Sequence, residues 1–76
     1  MIRFFFDYTS NDRSLYDYRG EDFLSPEAAI EFAQTTAQVL TNSLSGDWVG
    51  WSIEVRNADG KKFLSLPVRS SGPIAA

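Results

Sequence analysis

The side chains of this chain that could do chemistry are carboxylates, hydroxyls and aromatics, because it holds no histidine and no cysteine. That removes the commonest general base, the commonest zinc ligand, the thiolate nucleophile and the disulfide staple together. A serine nucleophile would need another base, and the sequence Gly-x-Ser-x-Gly that exposes such a serine does not occur. The stretch Gly46, Asp47, Trp48, Val49, Gly50 lacks the lysine of a phosphate-binding loop. The carboxylates Asp7, Asp12, Asp17, Glu21 and Asp22 could gather round a hard cation. Calcium, however, takes about six to eight oxygens at set spacing, and that loop pattern is missing. Asp17 before Gly20 and Asp59 before Gly60 read as turn formers instead. No catalytic, cofactor-binding or metal-ligating residue is therefore assigned, and the chain is expected to be no enzyme and to need no cofactor.

The elements that would hold these side chains follow from periodicity. Ile2, Arg3, Phe4, Phe5, Phe6, Asp7 and Tyr8 form an aromatic-rich run suited to a strand. Alternation puts Ile2, Phe4, Phe6 and Tyr8 on one face and Arg3, Phe5 and Asp7 on the other. Thr9, Ser10, Asn11 and Asp12 are turn chemistry, and a shorter strand is expected over 14–18. Gly20 then breaks the pattern with a positive φ. Ser25 and Pro26 open a helix as N-cap and first helical residue. Ala29, Ile30, Phe32, Ala33, Thr36, Ala37, Val39, Leu40 and Leu44 make up its apolar half, and Ser45-Gly46 its stop. Trp51, Ile53 and Val55 alternate with Ser52, Glu54 and Arg56, the pattern of a half-buried strand. Asn57, Ala58, Asp59 and Gly60 suit a turn into a returning strand over 61–68. That strand carries Leu64, Leu66 and Val68 on one face, Phe63 and Ser65 on the other.

These elements make a single α+β domain over 1–68, in ββαββ order, with a flexible tail over 69–76. One helix covers one face of a four-stranded sheet. The first strand is bulky on both faces, so it is interior; Pro67 cannot donate to a ladder, so the fourth strand lies at an edge. The order 2-1-3-4, all antiparallel, satisfies both conditions. The alternative 2-1-4-3, with strands one and four parallel as in β-grasp domains, stays open. A chain of 76 residues buries only about 60–65% of its unfolded surface, which leaves little capacity for buried charge. Phe4, Phe6, Phe32, Leu40, Trp51, Ile53, Val55, Leu64 and Leu66 are expected to fill the core. Trp48 could either cap its open end or stand out as a contact residue.

The opening Arg3, Phe4, Phe5, Phe6, Asp7, the Asp17-x-x-Gly20 before an Ala-rich helix, and the hairpin from Trp51 through Asp59-Gly60 to Leu66-Pro67-Val68 together carry a resemblance. The chain resembles a domain-of-unknown-function family of short bacterial proteins over residues 3–68. The resemblance implies a small bacterial protein of uncharacterised activity and offers no catalytic residue to carry over.

With one helix available, the sheet face that holds Arg3, Phe5, Asp7, Ser52, Glu54, Arg56, Phe63 and Ser65 has no cover of its own. Tyr16 and Tyr18 join it if Leu15 points to the core. Aromatics ringed by charges on an open face mark an interface, and Phe5, Tyr16, Tyr18, Arg56 and Phe63 are its candidate residues. The expected function is a protein-interaction module or homodimer that uses this face. The alternative is single-stranded nucleic-acid binding, because bases stack on sheet aromatics. A net charge of −3, with Asp7 and Glu54 on the face itself, weighs against phosphate. A secreted domain this small would usually need disulfide staples, so a reducing cytoplasm is expected, and no leader and no membrane span is read.

Overall fold

The computed structural model describes residues 1–42 and 47–69. Its elements are β1 (Ile2–Thr9), β2 (Ser14–Leu15), β3 (Glu21–Phe23), α1 (Pro26–Thr41), β4 (Ser52–Asn57) and β5 (Lys62–Pro67). The sheet is antiparallel and open, in the order β2-β1-β4-β5, and β3 also pairs with β1. This is the 2-1-3-4 order expected from Pro67 and the two-faced first strand; the β-grasp order is not formed. Pro67 closes β5 at the outer edge, opposite Ser52, where its missing N–H leaves no ladder bond unmade.

The second strand departs from expectation. Instead of running over 14–18, it stops at Leu15, and the chain returns to β1 as β3. Tyr8 and Thr9 pair with Leu15 and Ser14. At the opposite end of β1, Ile2, Arg3 and Phe4 pair with Phe23, Asp22 and Glu21. One edge of β1 is thus covered in two pieces, with loop 16–20 arching between them.

Ser25 caps α1 as its sequence indicates. Its Oγ accepts the Ala28 N–H at 3.2 Å, and Pro26 follows in the first helical turn. The helix presses Ala29 and Ala33, both without exposed surface, onto Phe4, Phe6, Ile53 and Val55. Small residues at this contact let the helix sit close to the sheet, and bulkier ones move to the margins. Phe32 is accordingly 42% exposed rather than buried, though its ring packs edge-on against Phe6 at 5.2 Å. Leu40, Leu64, Leu66 and Trp51 are half-buried. Leu44, Ser45 and Gly46, and the tail beyond Arg69, lie outside the described residues.

Two further positions correct or complete the sequence reading. Between Val55 and Arg56 the β4–β5 ladder shifts by a bulge, so that Arg56 faces Lys62 where unbroken pairing would bring Phe63. Phe63 therefore leaves the open face, packs its ring 5.2 Å from Phe4 and is 39% exposed. Trp48 lies half-buried with its ring 5.8 Å from Tyr8 and 5.3 Å from Trp51, closing the core at the end of β4.

Candidate functional site

The open face gets its pattern from register. Asp7 stands opposite Glu54, and Glu54 opposite Ser65; in the next row Phe5 stands opposite Arg56, and Arg56 opposite Lys62. Like charges would repel along each row, so each cation reaches diagonally to the acid of the row beside it. Arg56 bonds Asp7 through Nε at 2.5 Å and through its second terminal nitrogen at 3.0 Å. Lys62 Nζ donates to Glu54 Oε1 at 2.8 Å. Across the β1–β3 pair Arg3 stands directly opposite Asp22 and makes two bonds to it, at 2.9 and 3.2 Å.

Asp7 is the unexpected member, at only 4% exposure in a chain expected to have little capacity for buried charge. Burial pushes its carboxyl up, but the hydrogen bonds from Arg56 and from the Asp17 N–H, with the Arg56 charge, outweigh it. The group titrates below the ordinary carboxylate range. Glu54 behaves alike: burial raises it, while Lys62 and the Ser65 hydroxyl hold it lower on balance.

Loop 16–20 is fixed by the same network. The Asp17 N–H donates to Asp7 Oδ1 at 2.9 Å, and the Asp17 carbonyl accepts from Arg56 at 3.0 Å. The Asp17 carboxylate takes the place of the missing strand. One oxygen accepts the Phe6 N–H of β1 at 3.1 Å, the other the N–H groups of Arg19 and Gly20 at 3.0 Å each. Burial raises the Asp17 carboxyl, and these three backbone bonds with the Arg56 charge bring it below its ordinary value. Arg3 fastens the far side of the loop through the Arg19 carbonyl at 2.9 Å. Gly20 has φ +73°, and a Cβ there would lie 2.9 Å from Arg3 Cγ and from Phe5 Cε1. Asp17-x-x-Gly20 is thus a strand substitute, with its acid bonded to β1 and its glycine against Phe5.

Of the five candidate residues, four line one groove of about 550 Å³ on this face: Phe5, Tyr16, Tyr18 and Arg56. The bulge removes the fifth, Phe63. Phe5 is half-buried and already occupied, with the Arg56 guanidinium 5.0 Å above its ring. Tyr16 and Tyr18 are the open ones, at 57% and 85% exposure. Leu15 pairs with Tyr8 on the helix side, which is the condition that sends Tyr16 to the open face. Sequence reasoning missed Asp17 and Gly20 as parts of the site, although their spacing was visible. It also had Asp7 as a surface acid. Among the described residues no group of three His, Cys, Asp or Glu side chains is placed to hold a metal ion, and no helix is long and apolar enough to cross a membrane.

Residues 3–69 match the family model of a domain of unknown function (DUF6894). No curated protein and no solved structure matches the chain.

Proposed function

This chain belongs to the DUF6894 family of domains of unknown function, and we propose that it is a protein-interaction module. Its contact surface is the open sheet face with loop 16–20. One observation carries this reading: Tyr16 and Tyr18 stand exposed on a loop whose backbone is bonded at Asp17 by Asp7 and Arg56, at the Arg19 carbonyl by Arg3, and at the Arg19 and Gly20 N–H groups by the Asp17 carboxylate, itself bonded to β1. A large side chain held out on a fixed backbone loses little conformational freedom when a partner covers it. Tyrosine also brings apolar area and a hydroxyl to a contact, and is enriched where binding energy concentrates. A second copy of the chain is the simplest partner to test.

Nucleic acid is the weaker occupant, because the cations that line the groove, Arg56 and Lys62, are bonded to Asp7 and Glu54. Fewer phosphates would be neutralised than the basic residues alone imply.

The test is sedimentation equilibrium of the parent from micromolar to millimolar concentration, beside Tyr16→Ser/Tyr18→Ser. The double variant should melt like the parent and associate more weakly. A parent monomeric throughout removes self-association. A parent that binds single-stranded oligonucleotide with steep salt dependence replaces the interaction reading altogether.

A further inference from the structure

Within the groove three carboxylates, Asp7, Asp17 and Glu54, face two cations, Arg56 and Lys62. Arg56 is taken up by Asp7 and Lys62 by Glu54. The surplus charge is that of Asp17, whose carboxylate is bonded by the backbone N–H groups of Phe6, Arg19 and Gly20. Backbone amides stabilise a carboxylate without cancelling its charge. Asp17 lies between Tyr16 and Tyr18 in the chain and all three line the groove, so two exposed aromatic rings stand on the segment that carries the groove's excess negative charge. The negative face of an aromatic ring attracts cations, and a carboxylate beside it adds to that attraction. The chain already makes this contact once on the same face, where the Arg56 guanidinium lies 5.0 Å from the centre of the Phe5 ring. The net charge of −3 adds a long-range field of the same sign.

We infer that the partner docks by placing a cationic side chain, arginine or lysine, against Tyr16 and Tyr18 beside Asp17. The inference rests on the protein-interaction reading above and names the chemistry of the partner at that surface. An anionic group is disfavoured by the carboxylate surplus. A second copy of the chain would have to bring its own net negative charge to the same face.

The probe is end-capped pentaarginine, titrated into the isotope-labelled full chain and followed by backbone amide shifts, with end-capped pentaglutamate in parallel. Pentaarginine should shift the amides of Tyr16, Asp17, Tyr18 and Glu54, with an affinity that weakens as salt rises. The variant Tyr16→Leu/Tyr18→Leu keeps every charge and most of the apolar area but loses the ring faces. It should bind about tenfold more weakly, the change that two exposed cation–ring contacts supply. Glu27→Gln/Glu31→Gln, on the helix, should bind as the parent does. Equal weakening in both variants would reduce the effect to general acidity and overturn the inference. Shifts of the same face by pentaglutamate, or tyrosine-dependent self-association with no response to pentaarginine, would overturn the cationic partner and leave a protein interface standing. Salt-sensitive oligonucleotide binding at the same residues would remove both readings.

Discussion

Replacing Arg56 by methionine should reverse the sign of the contribution that Asp7 makes to this protein's pH dependence, as well as destabilise the fold. Asp7 has a side-chain exposure of 5%, against 26% for Arg56, so the partner left behind is the more deeply buried one. Removing one member of a buried pair costs about 3–5 kcal/mol, and the partial exposure of Arg56 argues for about 3. The whole fold of 76 residues is worth roughly 4–11 kcal/mol, so most of the chain's stability is at stake. In urea, with a slope near 1 kcal/mol per molar, the midpoint should fall by about 3 M close to neutral pH. In the parent the Asp7 pKa lies below its unfolded value, so its contribution is present above the ordinary carboxylate range and lost as pH falls. Without Arg56 the burial penalty leads, and the folded pKa rises above the unfolded one. In the variant the Asp7 contribution should then be fully present in acid and lost as pH rises through the raised value, against the opposite contributions of Asp17, Asp22 and Glu54. Asp7→Asn/Arg56→Met should recover most of the loss, because the amide oxygen can still accept the Asp17 N–H and no charge is left buried. Urea midpoints of the three proteins between about pH 4 and about pH 7 decide it. Parallel curves for parent and Arg56→Met would refute the claim that this pair holds a buried charge.

Gly20→Ala should cost roughly 2–3 kcal/mol by combining a positive φ with contacts at 2.9 Å, whereas Gly60→Ala, at φ +85° in open space, should cost only about 1; equal midpoints would deny loop 16–20 its close approach to Phe5. Phe6→Ala should lose about 3–5 kcal/mol and Phe32→Ala about half as much, since Phe6 is 6% exposed and Phe32 42%; the reverse order in a thermal melt would misplace the helix on the sheet. Calcium, magnesium and zinc should leave the melting temperature unchanged, and a stabilisation that saturates at one ion per chain would overturn the assignment of the carboxylates to turns and ion pairs.

Much of the fold was legible because it rests on local chemistry. Ser25-Pro26 starts a helix wherever the chain lies, and alternation alone assigns Phe4, Phe6, Ile53 and Val55 to one face. Pro67 and the two-faced first strand set the order of the sheet, since one lacks a donor and the other needs neighbours on both sides. The candidate groove was legible to the same degree: Phe5, Tyr16, Tyr18 and Arg56 share the expected face.

What the sequence left open depends on which residue faces which across strands. Phe63 has the parity of the open face, and only the bulge beside Arg56 turns it to Phe4. A one-residue shift reverses a side chain, and nothing local marks where it falls. Asp7 reads as a surface acid until the register places Arg56 diagonally beside it, 49 positions along the chain. Asp17 and Gly20 read as a turn, which they are; that the turn closes a gap in a sheet edge required β3 on the same strand as β2. Periodicity sets the face of a side chain because it is a property of one segment. Pairing is a property of two segments, and the electrostatics of this face exist only once both are in place.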